Sequence, residues 1–165
     1  MNHKIVVMGI LGSGKSTLGQ ALARLHHARF IEGDTYHLAS SRKKMRDGIG
    51  LDDADFETWI EVLASIMADE TGSVVLSCSA LKRSCREKLR EHVRNLKFVF
   101  LDVAPSIAMQ RVTAQTAHEF PATLVFDQFK LLESPEGELN VLTVQASQVT
   151  ELQLDQISAW LGALG

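Results

Sequence analysis

Short apolar runs alternate along this chain with longer segments in which apolar residues return every three or four positions. The runs Ile5–Met8, Ala28–Ile31, Val74–Ser77, Phe98–Val103 and Val141–Val144 predict strands. Between the first two, Leu18, Ala21, Leu22 and Leu25 keep one helical face, and Phe56, Trp59, Ile60 and Leu63 do the same in the next connection. Further helices are predicted over Lys82–His92, from Ser106 behind Pro105, over Pro121–Leu132 and over Val149–Leu164. In the last of these, Val149, Leu152, Gln156, Trp160 and Leu164 mark the stripe expected to face the core. Strand and helix in alternation predict an α/β fold: a five-stranded, parallel, doubly wound sheet with helices on both faces. Two polar stretches interrupt the rhythm, the basic segment Gly33–Asp53 and the segment Thr113–Ala122, and both read as functional loops or lids.

Composition narrows the class. A length of 165 residues predicts one domain over 1–165, with any extra lobe an insertion. Apolar residues at 45% and charged ones at 22% are ordinary for a folded globule. With 17 basic against 20 acidic residues, the chain lacks the cationic excess needed to neutralise nucleic-acid phosphates or coat an anionic membrane. No nucleic-acid or membrane partner is expected, and the partners should be small molecules. Cys78 and Cys85 are too few for a disulfide scaffold and have no zinc-ligand spacing around them, so a reducing, cytoplasmic setting is expected. The N-terminal run is too short for a signal peptide or a membrane span.

The chemistry is announced by Gly9-Ile10-Leu11-Gly12-Ser13-Gly14-Lys15-Ser16, a G-x-x-x-x-G-K-[ST] pattern that follows a strand and opens a helix, as the motif requires. Gly12 and Gly14 let the backbone curl with its N–H groups inward, and the positive end of the helix favours phosphate oxygens. Lys15 is placed to neutralise the β/γ-phosphates, and Ser16 supplies a hydroxyl to Mg²⁺. A nucleoside triphosphate is expected on Gly12, Ser13, Gly14, Lys15, Ser16 and Thr17, the last already within the helix. Neither an Asn-Lys-x-Asp guanine reader nor a Leu-Ser-Gly-Gly-Gln transporter signature occurs, which disfavours a regulatory GTPase or a transporter ATPase.

A second acidic element must hold the metal and orient the nucleophile. The second strand runs into Glu32-Gly33-Asp34, expected beside the phosphate loop: Glu32 for Mg²⁺ and Asp34 as base for an attacking hydroxyl. Asp102, which follows the apolar run Phe98–Leu101, is the alternative.

Several segments together resemble the gluconate kinase (gluconokinase) family of small P-loop kinases. They are GILGSGKST; FIEGDTYH followed by KKM, Gly48, LDDAD and Trp59; CSALKRSCREKLRE; and Arg111-x(6)-His118 with Asp127-Gln128-Phe129 behind it, so that the likeness spans roughly residues 4–145. The resemblance implies ATP- and Mg²⁺-dependent phosphorylation of the 6-hydroxyl of D-gluconate and, often, a homodimer. It also implies a fold of the adenylate- and shikimate-kinase type, with a mobile lid around 113–122 and a substrate-binding insertion around 35–70. Carried over by position, it puts Asp34 on the acceptor hydroxyl, His37, Lys44 and Arg86 near the sugar acid, and Arg111 and His118 in the lid, with Arg111 toward the nucleotide.

The chain also departs from that family's pattern. His37-Leu38-Ala39-Ser40-Ser41 ends in a hydroxyl where an amide is usual, and Phe56 stands where a cation is usual. Gln115 replaces a lid arginine, and Cys85 replaces an aromatic residue. Arg42 and Arg46 are candidates to supply the missing cation. Three readings therefore remain: a gluconate kinase, a kinase for another small hydroxy acid or sugar, and a nucleotide-binding sensor with little transfer.

Overall fold

A computed structural model describes residues 1–115 and 120–165. The chain runs β1 (Lys4–Met8), α1 (Lys15–Leu25), β2 (Arg29–Glu32), a 3-10 turn (Gly33–Tyr36), α2 (Ala39–Arg46), α3 (Asp53–Asp69), β3 (Val74–Ser77) and α4 (Arg83–His92). It continues through β4 (Lys97–Asp102), α5 (Pro105–Ala114), α6 (Leu124–Leu131), β5 (Val141–Gln145) and α7 (Thr150–Leu164). The five strands are all parallel, in the order β2-β3-β1-β4-β5. The expected doubly wound α/β sheet is present.

The two-residue period of the strands separates two cores. Ile5, Val7, Val75, Val99 and Leu101 point to one face, where Leu18 and Leu22 of α1, Ala108 and Val112 of α5, and Ile157 and Leu161 of α7 cover them. Val6, Met8, Val74, Leu76, Phe98 and Phe100 point to the other, beneath Trp59, Ile60, Leu63 and Met67 of α3 and Leu89 of α4. Both faces are sealed, which is why the strands read as continuous apolar runs rather than as alternating ones. The order of strands reverses direction at β1, so the loop after β1 opens at the switch point where α/β sheets form their clefts.

Three expectations need correction. The stripe expected on α7 is displaced by one position: Gln153, Ile157 and Leu161 are buried, while Val149, Leu152 and Leu164 are exposed. In α1, Leu25 is likewise exposed at the helix end. The segment Gly33–Asp53 is largely ordered into the 3-10 turn and α2, because Ser41 and Met45, four residues apart, supply a narrow buried edge beneath a basic surface. Within the segment Thr113–Ala122, Phe120 is buried in the core. The lid expected around 113–122 includes residues 116–119, among them His118, which lie outside the described residues. Among the described residues no helix is long and apolar enough to cross a membrane.

Candidate active site

The loop from Gly9 to Gly14 turns tightly against α5. Gly12 has φ 84°, and a Cβ there would lie 2.7 Å from the carbonyl oxygen of Ala108, so this position requires glycine. Gly14, with φ 96°, precedes the first turn of α1. Lys15, only 8% exposed, donates from Nζ to the carbonyl of Ile10 at 3.1 Å, and so lies folded over the loop it serves. Arg111 braces the same loop from α5, donating to the carbonyls of Gly12 at 3.3 Å, Ser13 at 3.2 Å and Ala146 at 2.8 Å. Together Gly12, Ser13, Gly14, Lys15, Ser16, Thr17, Asp34, Arg111 and Gln115 border an open cleft of about 430 Å³ that extends to Ala146 and Gln148.

Glu32 and Asp34 reach this cleft by a different route from the one expected. In the sheet β3 lies between β1 and β2, so the end of β2 is not beside the phosphate loop. Ser16, on the first turn of α1, spans the gap: its hydroxyl donates to Oε2 of Glu32 at 2.5 Å and lies 3.5 Å from the hydroxyl of Ser77 at the end of β3. Burial pushes the Glu32 carboxyl up, the nearby charge of Asp34 adds to this, and the Ser16 bond offsets part of it. Oε1 of Glu32 is buried without a hydrogen-bond partner among the described residues. A half-buried carboxylate with one oxygen on a hydroxyl and the other unsatisfied fits an oxygen-ligand divalent cation. Asp102 offers no such arrangement, since its carboxylate accepts from Gln145 Nε2 at 3.4 Å at the end of β4.

A smaller, more enclosed cavity opens behind Lys15 and Asp34. Its polar wall is Lys15, Asp34, His37, Ser79, Asp127 and Gln128; Met45, Leu51, Phe56 and Phe120 are among its apolar residues. Asp34 is two-fifths exposed, and its Oδ1 lies 3.9 Å from Nε2 of His37. His37 is buried flat against Trp59, with ring centroids 4.1 Å apart and planes 19° apart, and Trp59 Nε1 donates to the carbonyl of Gly33 at 2.8 Å. That bond and the tight seat of Gly33, where a Cβ would collide with the carbonyl of Ser77, fix the turn that carries Asp34. Arg42 reaches the same turn from α2, donating to the carbonyl of Asp34 at 3.1 Å.

Two residues expected near an acceptor are placed elsewhere. Lys44 donates to Asp55 Oδ2 at 2.8 Å and lies 3.6 Å from Asp52, the two acids that form the capping box of α3. The bond from Lys44, aided by the Asp52 backbone and Ser41, holds the Asp55 carboxyl down to about 2. Lys44 therefore ties α2 to α3. Arg86 is fully buried, with its donors spent on the carbonyls of Ala80, Leu81 and Glu133 and on the Glu138 carboxylate, so it cannot reach a small molecule in the cavity. A basic helix segment reads as a solvated face in sequence; its one inward arginine is not distinguishable there from Arg83 or Arg90.

Three cavity residues were not singled out from sequence as site residues. Gln128 Oε1 accepts from the Leu11 backbone N–H at 2.6 Å and joins α6 to the phosphate loop. Ser79 and Asp127 complete the polar wall. The only sequence signal for them was membership in the CSALK and Asp-Gln-Phe segments.

These features agree with what the chain is similar to. A family model described as shikimate kinase matches residues 11–153. The thermoresistant gluconokinase of Escherichia coli (strain K12) is 35% identical over 154 residues, covering 91% of this chain and 88% of that protein. A crystal structure of a gluconokinase from Sinorhizobium meliloti 1021 is 40% identical, with a TM-score of 0.90 over 98% of this chain and 93% of that one. Shikimate kinase from Bacteroides thetaiotaomicron, at 19% identity and a TM-score of 0.66, shares the fold. With its phosphate loop, its doubly wound sheet and relatives matched nearly end to end, the chain belongs to the gluconokinase family of ATP-dependent P-loop kinases.

Proposed function

We propose that this protein transfers the γ-phosphoryl group of ATP to the primary hydroxyl of a sugar acid, D-gluconate before others. One observation carries the reading: Lys15 and Asp34 line both the open cleft of the phosphate loop and the enclosed cavity behind it. A hydroxyl entering from the cavity side meets a terminal phosphate at these two residues, the near-attack arrangement that phosphoryl transfer needs.

The backbone N–H groups of Gly12 to Thr17 hold the phosphates, and Lys15 exchanges the Ile10 carbonyl for a phosphate oxygen. Asp34 accepts the proton of the attacking hydroxyl and orients its lone pair toward phosphorus. Ser16 and Glu32 would hold Mg²⁺, which supplies charge neutralisation at the phosphate oxygens. Arg111 borders the nucleotide, His37 meets the acceptor, and closure of the segment around 113–122, with His118, excludes water so that hydrolysis does not compete. Arg42, whose guanidinium donates to the Asp34 carbonyl, is the candidate cation for the acid group that Phe56 cannot bind. Lys44 and Arg86 contribute by holding the walls.

The protein is read as one domain acting in the cytoplasm, with a homodimer as its working form. Buried free thiols at Cys78 and Cys85 support the first point, and the family likeness supports the second. A second reading, a kinase for a less polar hydroxy acid or sugar, is favoured by Phe56 and Phe120 in the acceptor cavity. ADP release with Mg²⁺-ATP against a panel of sugar acids, hydroxy acids and neutral sugars, beside a no-acceptor control, decides between them. Stimulation by D-gluconate above all others supports the first reading, and a preference for another acceptor supports the second. ATP binding without acceptor-dependent ADP release contradicts both.

A further inference from the structure

Arg86 has no surface to offer a ligand, yet it is tied to the acceptor cavity through the backbone. After β3 the chain turns at Cys78–Leu81, and Ala80 there takes φ 44°, a left-handed conformation that residues bearing a Cβ avoid. Arg86 Nη1 donates to the two carbonyls of this turn, Ala80 at 2.8 Å and Leu81 at 3.0 Å. Nη2 donates to the Glu133 carbonyl at 2.9 Å and to Glu138 Oε1 at 2.7 Å, and Nε to Glu138 Oε2 at 3.0 Å. All five guanidinium N–H groups are thereby used. Glu138, whose side chain is 9% exposed, also pairs with Arg90 at 2.9 Å. Burial pushes its carboxyl up, and the bonds and charges of Arg86 and Arg90 outweigh this, leaving it below its ordinary value. The backbone N–H of Glu133 also donates to the Leu81 carbonyl at 2.9 Å, so the turn is clamped from two sides.

The residue this clamp presents is Ser79. It is 8% exposed and lies on the cavity wall with Lys15, Asp34 and His37. A hydroxyl on the wall of a mostly apolar cavity is a binding group for a polar ligand atom. A buried ion pair, by contrast, is weak evidence for a stabilising role, since well-packed apolar residues often stabilise as much.

We propose that Ser79 is an acceptor-binding hydroxyl, engaging a hydroxyl or carboxylate oxygen of a polyhydroxy acid, and that Arg86 is the positioning residue that holds it there through the carbonyls of Ala80 and Leu81. This rests on the reading of the enclosed cavity as the acceptor site. A lysine at position 86 keeps the charge and loses the fork that spans both carbonyls.

The test uses initial rates of the full chain with Mg²⁺-ATP and D-gluconate. Ser79→Ala should raise the KM for gluconate about tenfold, the loss of one hydrogen bond, with the KM for ATP unchanged. Ser79→Thr, which retains the hydroxyl, should recover most of that affinity. Arg86→Lys should raise the gluconate KM in the same selective way, and the double variant should be no worse than Ser79→Ala alone, because residues acting in series do not add. If Arg86→Lys does not fold, Glu138→Gln takes its place with the same expected outcomes. Arg86→Lys that lowers Tm yet leaves the gluconate KM alone, or effects that multiply in the double variant, overturns the positioning role. An unchanged gluconate KM in Ser79→Ala, with the parent enzyme active, overturns the inference and spares the kinase reading. A parent enzyme without acceptor-dependent ADP release overturns both.

Discussion

The hydroxyl of Ser16 and the carboxylate of Glu32 meet at 2.5 Å across the end of β3, although Ser16 follows β1 and β3 separates β1 from β2 in the sheet. One Glu32 oxygen is thereby satisfied and the other is buried without a partner among the described residues. Burial raises the Glu32 carboxyl, and a cation must bind its ionised form, so metal binding releases a proton. The Mg²⁺ concentration giving half-maximal rate should therefore fall as pH rises through the range in which Glu32 ionises. Glu32→Gln should increase that concentration about tenfold or more and flatten its pH dependence. A Mg²⁺ titration at several pH values, at fixed ATP, measures both.

Lys15 and Asp34 are predicted to separate by role. Lys15→Ala should abolish transfer and weaken ATP binding. Asp34→Asn retains the shape of the side chain, so ATP affinity should stay near that of the parent while kcat falls about a hundredfold or more, the usual scale for losing a general base. Isothermal titration with a non-hydrolysable ATP analogue, paired with steady-state rates, distinguishes the two. Near-normal kcat in Asp34→Asn removes Asp34 from the chemistry.

The turn carrying Asp34 depends on Gly33 and Trp59. Gly33→Ala would force a methyl group into the Ser77 carbonyl and should cost about 1–3 kcal/mol, the range for overpacking. Trp59→Phe keeps an aromatic face for His37 but loses the 2.8 Å bond to the Gly33 carbonyl, and should cost about 1–3 kcal/mol by leaving that buried acceptor unpaired. Urea unfolding with a shared m-value gives both figures.

His37 predicts an acid limit to stability. Burial holds its imidazole below the ordinary value, Asp34 opposes this, Arg42 adds to it and Asp55 opposes it. With the folded pKa depressed, the stabilising contribution is fully present above the ordinary histidine value of 6.5 and is lost as pH falls through the folded value. His37→Gln cannot titrate, so its Tm should decline less than that of the parent between about pH 7 and about pH 5. Parallel declines would assign the acid sensitivity to other groups.

The strands and the phosphate loop were legible because their signals are local: an apolar run needs no partner to be recognised, and a glycine-lysine-serine spacing encodes its own backbone geometry. The face of α7 was not, since Leu152 and Ile157 are equally apolar and only the sheet decides that Ile157 and Leu161 turn inward. The basic composition of α2 hid a helix whose buried edge is only Ser41 and Met45. Arg86 illustrates the hardest case. Its burial depends on Glu138, 52 positions away, and on a strained turn before it, neither of which leaves a pattern in the helix that carries it. Glu32 was expected directly beside the phosphate loop, and the intervening β3 was not foreseen, since it is set by strand order and not by sequence order.

The central claim, transfer to a primary hydroxyl at the junction of the two cavities, is tested most directly by phosphorus NMR of the products formed from Mg²⁺-ATP and D-gluconate. A phosphomonoester on a CH₂ group couples to two protons and gives a triplet, which should appear in step with ADP. ADP accompanied by inorganic phosphate alone, or a doublet from a secondary ester, would contradict the account.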